Sequence, residues 1–169
     1  MTATPTLLAD AMTAAINTAA GDGDFVPQSF TARRSYPDWD DDFKDLKSLA
    51  VDVVPVSTDG NGALAELDSA GTLETEPAVD IAVRKRFEPS DREADGRLKN
   101  TSVDPLMKLV EQLHELFADG RMDHLSLAVG IDANWIEASV RTHCDYRKLR
   151  EGYFLGVVRV RWNVSKAVA

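Results

Sequence analysis

A single cysteine, Cys144, stands in 169 residues, so no internal disulfide and no thiolate zinc site can form. As a lone thiol it reads as a packed, unreactive side chain. Long apolar runs are missing too, and no stretch approaches the length of a membrane span. The alanine-rich segment Leu7 to Ala20 has no basic stretch before it and is interrupted by Asp10, so it lacks the layout of a secretory signal. Neither G-x-x-x-x-G-K-S/T nor G-x-G-x-x-G occurs, and G-x-S-x-G and H-E-x-x-H are absent as well. Histidine is scarce. His114 has no second ligand at metal spacing and reads as structural, while His143 and Cys144, adjacent on an extended backbone, point to opposite sides. A thiol and imidazole pair would need His114 or His124 brought over by the fold. Basic residues number 19 against 28 acidic ones, and the resulting charge of −9 repels phosphate backbones and anionic headgroups. The expectation is a protein without cofactor, metal or enzymatic activity, in a reducing cytoplasm or assembled there into something larger.

What is present is enough apolar matter, 44% of the residues, for one domain over residues 1–169 with a core of its own. The stretch Asn134 to Val164 reads as a long hairpin. Its strands run Asn134 to Thr142 and Tyr153 to Val164, joined by a charged connection from His143 to Gly152. In the second strand Phe154, Gly156, Val158, Val160, Trp162 and Val164 share one face, and Arg159, Arg161 and Asn163 the other. In the first, Ile136, Ala138 and Val140 alternate with Glu137, Ser139 and Arg141. A hairpin alone is marginal, so the preceding chain must cover its apolar face.

That chain opens with a helix expected over Thr6 to Ala20, with Leu7, Leu8, Ala11, Met12, Ala15 and Ile16 on its apolar stripe and Gly21 at its end. Strands follow at Phe30 to Tyr36, at Ala50 to Ser57, where Pro55 points to an edge or a bulge, and at Ala78 to Phe87. Between the last two, residues 58–76 read as a flexible insertion, with at most a helical turn at Ala65 to Leu67. Glu88 to Asn100 reads as loop, and a second helix is expected from Pro105 to Ala118, capped by Asp104. Leu125, Leu127, Val129 and Ile131 alternate, either as an extra strand or as the start of the Asn134 strand bent at Gly130. The expected class is α+β: an antiparallel-rich sheet of four to five strands with two main helices packed on one face.

Charge is unevenly placed. Asp38, Asp40, Asp41 and Asp42 crowd around Trp39, just before Phe43. Four carboxylates in five residues can ligate a hard cation, but the spacing of a calcium loop is missing. A solvated acidic loop anchored by Trp39, Phe43 and Leu46 fits as well, and a tryptophan there can anchor a partner. Positive charge gathers in Arg33-Arg34, Arg84-Lys85-Arg86, Arg147-Lys148-Arg150 and Arg159 with Arg161. If copies meet head to tail, the acidic loop of one can face a basic strand of the next, and such contacts close into a ring.

The order of elements carries a family resemblance. After the alanine-rich helix come F-x-A-x-R-x-Y at Phe30 to Tyr36, V-D-V-V-P-V, V-D-I-A-V-R-K-R-F, the helix L-M-K-L-V-E-Q-L, and D-Y-R-K-L-R-E-G-Y-F-L-G-V-V-R-V-R-W. From Leu7 to Val164 the chain resembles the tail terminator and related minor tail or tail-completion proteins of tailed bacteriophages and prophages. The resemblance implies a structural virion protein, assembled in the host bacterial cytoplasm and located in the tail or neck. It implies a ring, expected to be a homohexamer, at the head-proximal end of the tail tube. There it stops tube growth and offers the surface on which the head connector docks. The implied partners are further copies of itself, the tail tube protein and the head-tail connector or neck proteins. No membrane is involved, and DNA only passes through the ring lumen. The family supplies no catalytic residues. On physical grounds Arg33, Arg34, Trp39, Asp40, Asp41, Asp42, Arg84 and Arg86 are expected at the subunit interface, and Asp59, Asn61, Leu64 and Leu67 in a docking loop that orders on assembly. The acidic loop and the glycine-containing insertion do not match the family pattern. That leaves room for a head-completion or connector-adaptor protein of the same neck, for a small metal-dependent enzyme using Asp38, Asp40, Asp41 and Asp42, and for a monomeric binding module.

Overall fold

Tyr153–Ala167, fifteen residues rich in valine with Trp162 and Phe154 among them, form the longest strand and the spine of the sheet. A computed structural model describes residues 4–25, 28–37, 43, 46–56, 66–67, 72–118, 122 and 124–167. Along the chain these comprise α1 (Thr4–Asp22), β1 (Ala32–Arg34), β2 (Ala50–Val56), β3 (Glu66–Leu67), β4 (Thr72–Thr75) and β5 (Ala78–Arg86). A 3₁₀ turn at Pro89–Asp91 leads to α2 (Asn100–Ala118), then β6 (His124–Ala128), β7 (Ile131–Thr142), α3 (Tyr146–Arg150) and the spine, β8 (Tyr153–Ala167).

One edge of β8 pairs antiparallel with β5 and, further along, with β4. Pro77 lies between those two strands, and the ladder crosses the gap because Trp162 N–H donates to the Pro77 carbonyl at 3.1 Å. The other edge of β8 pairs with β7, which pairs with β6, while β2 lies outside β5 and β1 outside β2. Among the described residues only β1 and β2 run parallel, so the sheet is mixed. The α+β class is as expected. The eight strands, in place of four or five, come from short elements that periodicity barely marks: β3 and β4 lie in the supposed insertion, and Glu66–Leu67 is a strand where a helical turn was expected. Leu125 and its neighbours form the extra strand, turned at Gly130, whose φ of 74° is open to glycine.

Both long helices cover one face. Leu8, Met12 and Ile16 of α1 and Leu106, Leu109, Val110 and Leu113 of α2 pack on Val51, Val53, Val79, Ile81, Val83, Phe154, Val158, Val160 and Trp162 in one core. Helix α1 touches β1 and β6, the two ends of the sheet, so the sheet curls around it. Its buried face is centred on Leu8, Ala9, Met12, Ile16 and Ala19, rotated from the expected stripe. It ends at Gly23, not Gly21: with φ at 87°, Gly23 donates to the Ala20 carbonyl and Asp24 to that of Ala19, the paired bonds of a Schellman cap. Helix α2 begins at Asn100, five residues earlier than expected, with Asp104 and Pro105 inside it. Ser102 and Val103 donate to the Lys99 carbonyl and supply the first turn that Pro105 tolerates so near a helix start. Gly156 lets α2 close on the sheet: a Cβ there would overlap Val110 Cγ2 and sit 3.0 Å from the His143 carbonyl.

Candidate functional site

Strand alternation sends Ala82, Arg84, Leu155 and Val157 to the face without helices. Part of that face is covered by chain. Phe43 and Leu46, from the segment before β2, pack on Ala82 and Leu155, with Ala50, Tyr153 and Val157 around them. The Phe43 ring lies 5.2 Å from that of Tyr153, 5.5 Å from the Arg84 guanidinium and 5.4 Å from Lys148 Nζ. An aromatic held between two cations gains quadrupole attraction as well as burial.

Beneath this cover lies an ionic hub. Asp52, 0% exposed, accepts at Oδ2 from Arg84 Nε at 2.8 Å and from its terminal amine at 2.6 Å. At Oδ1 it accepts from Arg33 Nε at 2.9 Å and from the Ser35 hydroxyl at 2.5 Å. Burial acts to raise the Asp52 pKa. The bonds from Ser35, Arg33 and Arg84, with the charge of Arg84, outweigh it and hold the carboxyl below its ordinary range. Arg84 itself is 2% exposed. Its expected place at a subunit interface is therefore corrected: with its charge neutralised inside the chain, Arg84 joins β5 to β2 and β1.

Further along the same face runs a charge ladder. Arg159 forks onto Asp80 at 2.7 and 2.8 Å, directly across β8 and β5. Arg161 donates to Glu137 on β7 at 3.0 Å and to Glu76 at 2.9 Å, and these two carboxylates raise its pKa, its hydrogen bond to Glu137 first. The other expected interface residues are dispersed. Arg33 turns its exposed side chain to Asp52, Arg34 reaches Asp10 of α1 at 2.9 Å on the opposite face, and Arg86 is exposed at the end of β5. Trp39, Asp40, Asp41 and Asp42 lie outside the described residues, as do Asp59, Asn61 and Leu64, and Leu67 falls in β3. Asp52 is the residue that sequence reading overlooked, although its signal was legible: a lone carboxylate in the run V-D-V-V-P-V, with Arg84 on the same face of β5.

The thiol and two of the three histidines are placed by contacts within the chain. Cys144 is buried, and that burial, followed by the neighbouring Asp145 charge, pushes its pKa up and keeps it a thiol. His114 lies 3.1 Å by Nε2 from the Ala138 carbonyl and ties α2 to β7, while His124 lies 3.6 Å from Asp132 across the β6–β7 hairpin. Among the described residues no group of three or more His, Cys, Asp or Glu is placed to hold a metal ion, and no helix is long and apolar enough to cross a membrane. No protein-family model matches the chain, and no curated protein sequence matches it.

Proposed function

We propose that this chain is a structural subunit of a tailed-phage neck: a tail terminator that forms a ring, hexameric in the simplest case, at the head-proximal end of the tail tube. The ring stops tube growth and joins tail to head. Neither an enzymatic step nor a cofactor enters this role. The observation that carries the reading is the two-sided sheet, with helices sealing one face while the other offers a charge ladder beside an apolar patch closed by Phe43. A head-to-tail ring needs two dissimilar surfaces on each subunit, and this asymmetry supplies them. The −9 charge suits a lumen through which DNA slides without sticking.

The test is tail assembly without this protein. Tubes of uncontrolled length are the expected result. Filled heads without tails beside tails of normal length would reject the terminator role in favour of a head-completion or connector-adaptor protein. In purified material the mass should rise with concentration and negative stain should show rings with a hole wide enough for duplex DNA. A mass of one chain at every concentration, with or without tube tips, would reject the ring.

A further inference from the structure

Despite its acidic balance, the chain has a cationic cleft. Between the loop 89–99, the start of α2 and α3 lies an open hollow of about 450 Å³, lined by Arg92, Arg97 and Arg150 against one carboxylate, Asp104. Three positive charges less one negative leave it at +2 in a chain of −9. The arginines are lightly engaged. Arg92 donates to the uncharged Gly96 carbonyl at 2.8 Å. Arg97 meets Asp95 at 3.1 Å with 85% of its side chain exposed, a contact worth little in water. Arg150 is exposed and has no ion pair among the described residues. The walls between them are apolar, from Leu98, Val103 and Leu149, and Tyr146 stands at the mouth 72% exposed.

An apolar hollow rimmed by guanidinium groups fits a peptide in which carboxylates flank a flat aromatic ring. The sequence contains such a peptide in Asp38-Trp39-Asp40-Asp41-Asp42. We infer that this acidic segment of one copy docks in the arginine cleft of a second copy. Its carboxylates meet Arg92, Arg97 and Arg150, and Trp39 lies against Tyr146 and Leu149. The charges complement one another, −4 on the segment against +2 in the cleft. The inference rests on the ring reading and deepens it: the contact joins unlike surfaces, so it repeats from copy to copy. It also moves the basic partner away from Arg84, which is spent on Asp52.

The test uses the full chain and a labelled peptide of residues 35–43, followed by fluorescence anisotropy and by mass in solution. The peptide binds the wild-type chain, and reversal of the cleft with Arg97→Glu and Arg150→Glu weakens that binding at least about tenfold and lowers the associated mass. Both side chains are exposed, so the thermal midpoint stays in place. Mixing the reversed-cleft chain with an Asp40→Arg, Asp41→Arg chain restores association. A reversed cleft that binds peptide as the wild type does, or that leaves the mass unchanged, overturns the inference. So does peptide binding that occurs only after Asp40, Asp41 and Asp42 become Asn, because the cleft is then filled from its own copy. Rings that survive the reversal overturn the inference and leave the ring reading standing; cleft-dependent association into pairs or open chains upholds the inference and sinks the ring.

Discussion

Asp52 concentrates more of the fold into one side chain than any other polar residue described. It binds Arg33 and Ser35 of the β1 region and Arg84 of β5, the last of them against the Phe43 ring. Asp52→Asn leaves the buried Arg84 cation uncompensated and should cost about 3–5 kcal/mol in urea unfolding at neutral pH. A joint Asp52→Leu, Arg84→Met exchange should be far milder, since it removes both charges together. The pH dependence follows from the depressed carboxyl. A carboxylate whose folded pKa lies below its unfolded value contributes stability that is complete above the unfolded value and fades as pH falls through the folded one. The stability gap between wild type and Asp52→Asn should therefore be widest near neutrality and narrow below the ordinary carboxylate range. Asp91 has the same sign: burial acts against it, but the Glu88 amide, Ser102 and Lys85 prevail. Gly156 is the apolar counterpart. Gly156→Ala should cost about 1–3 kcal/mol by overpacking against Val110, and Val110→Ala should relieve part of that cost, so that the double variant falls short of the sum of the singles.

Among the elements, β1 is only three residues long, yet it is guarded at its margin. Asn17 of α1 donates to the Ala32 carbonyl at 3.0 Å and accepts from the Ala32 amide at 2.7 Å, so a side chain occupies the place of a neighbouring strand. Asn17→Ala strips both partners and should cost about 1–3 kcal/mol, with faster hydrogen exchange at the Ala32 amide as the local readout. The long elements could be read from sequence because burial on one side writes a period: 3.6 in α1 and α2, two in β2, β5 and β8. Pro55 was legible for a similar reason. Val53 accepts from the Ser35 amide, so odd residues of β2 turn toward β1, and the missing amide of Pro55 falls past the end of that strand. Strand β7 shows where the pattern misleads. Ile136 was expected to point inward, but a bulge between Trp135 and Glu137 places Trp135 opposite Trp162 and packs it on the core instead. No local alternation announces such a shift. The burial of the hub at Asp52, as distinct from the lone carboxylate itself, was hidden for a different reason: its face looks wet until Phe43, from another part of the chain, packs on Arg84.

At the scale of the molecule, charge would decide how copies meet in the proposed ring. A body of −9 repels its like, and salt that shortens the screening length from about 10 Å at 0.1 M to about 3 Å at 1 M eases that repulsion. Contacts between an acidic segment and an arginine cleft respond the other way. The associated mass at fixed concentration should fall across that salt range, by light scattering; a rise would assign the contact to apolar surface. The cleft was not legible as a unit, because Arg92 and Arg97 lie in the loop 89–99 and Arg150 in α3, more than fifty residues later. The spine β8 has a mechanical consequence. Fifteen residues long, it is gripped by β5 and β4 along one side and β7 along the other, all running against it. A pull along the axis of β8 loads those backbone bonds in parallel, so they must give way together, whereas a pull across the sheet peels them singly. Held at the two ends of β8, the chain should bear a steady pull far better than its thermal stability suggests; stretched sideways, it should open like a zip.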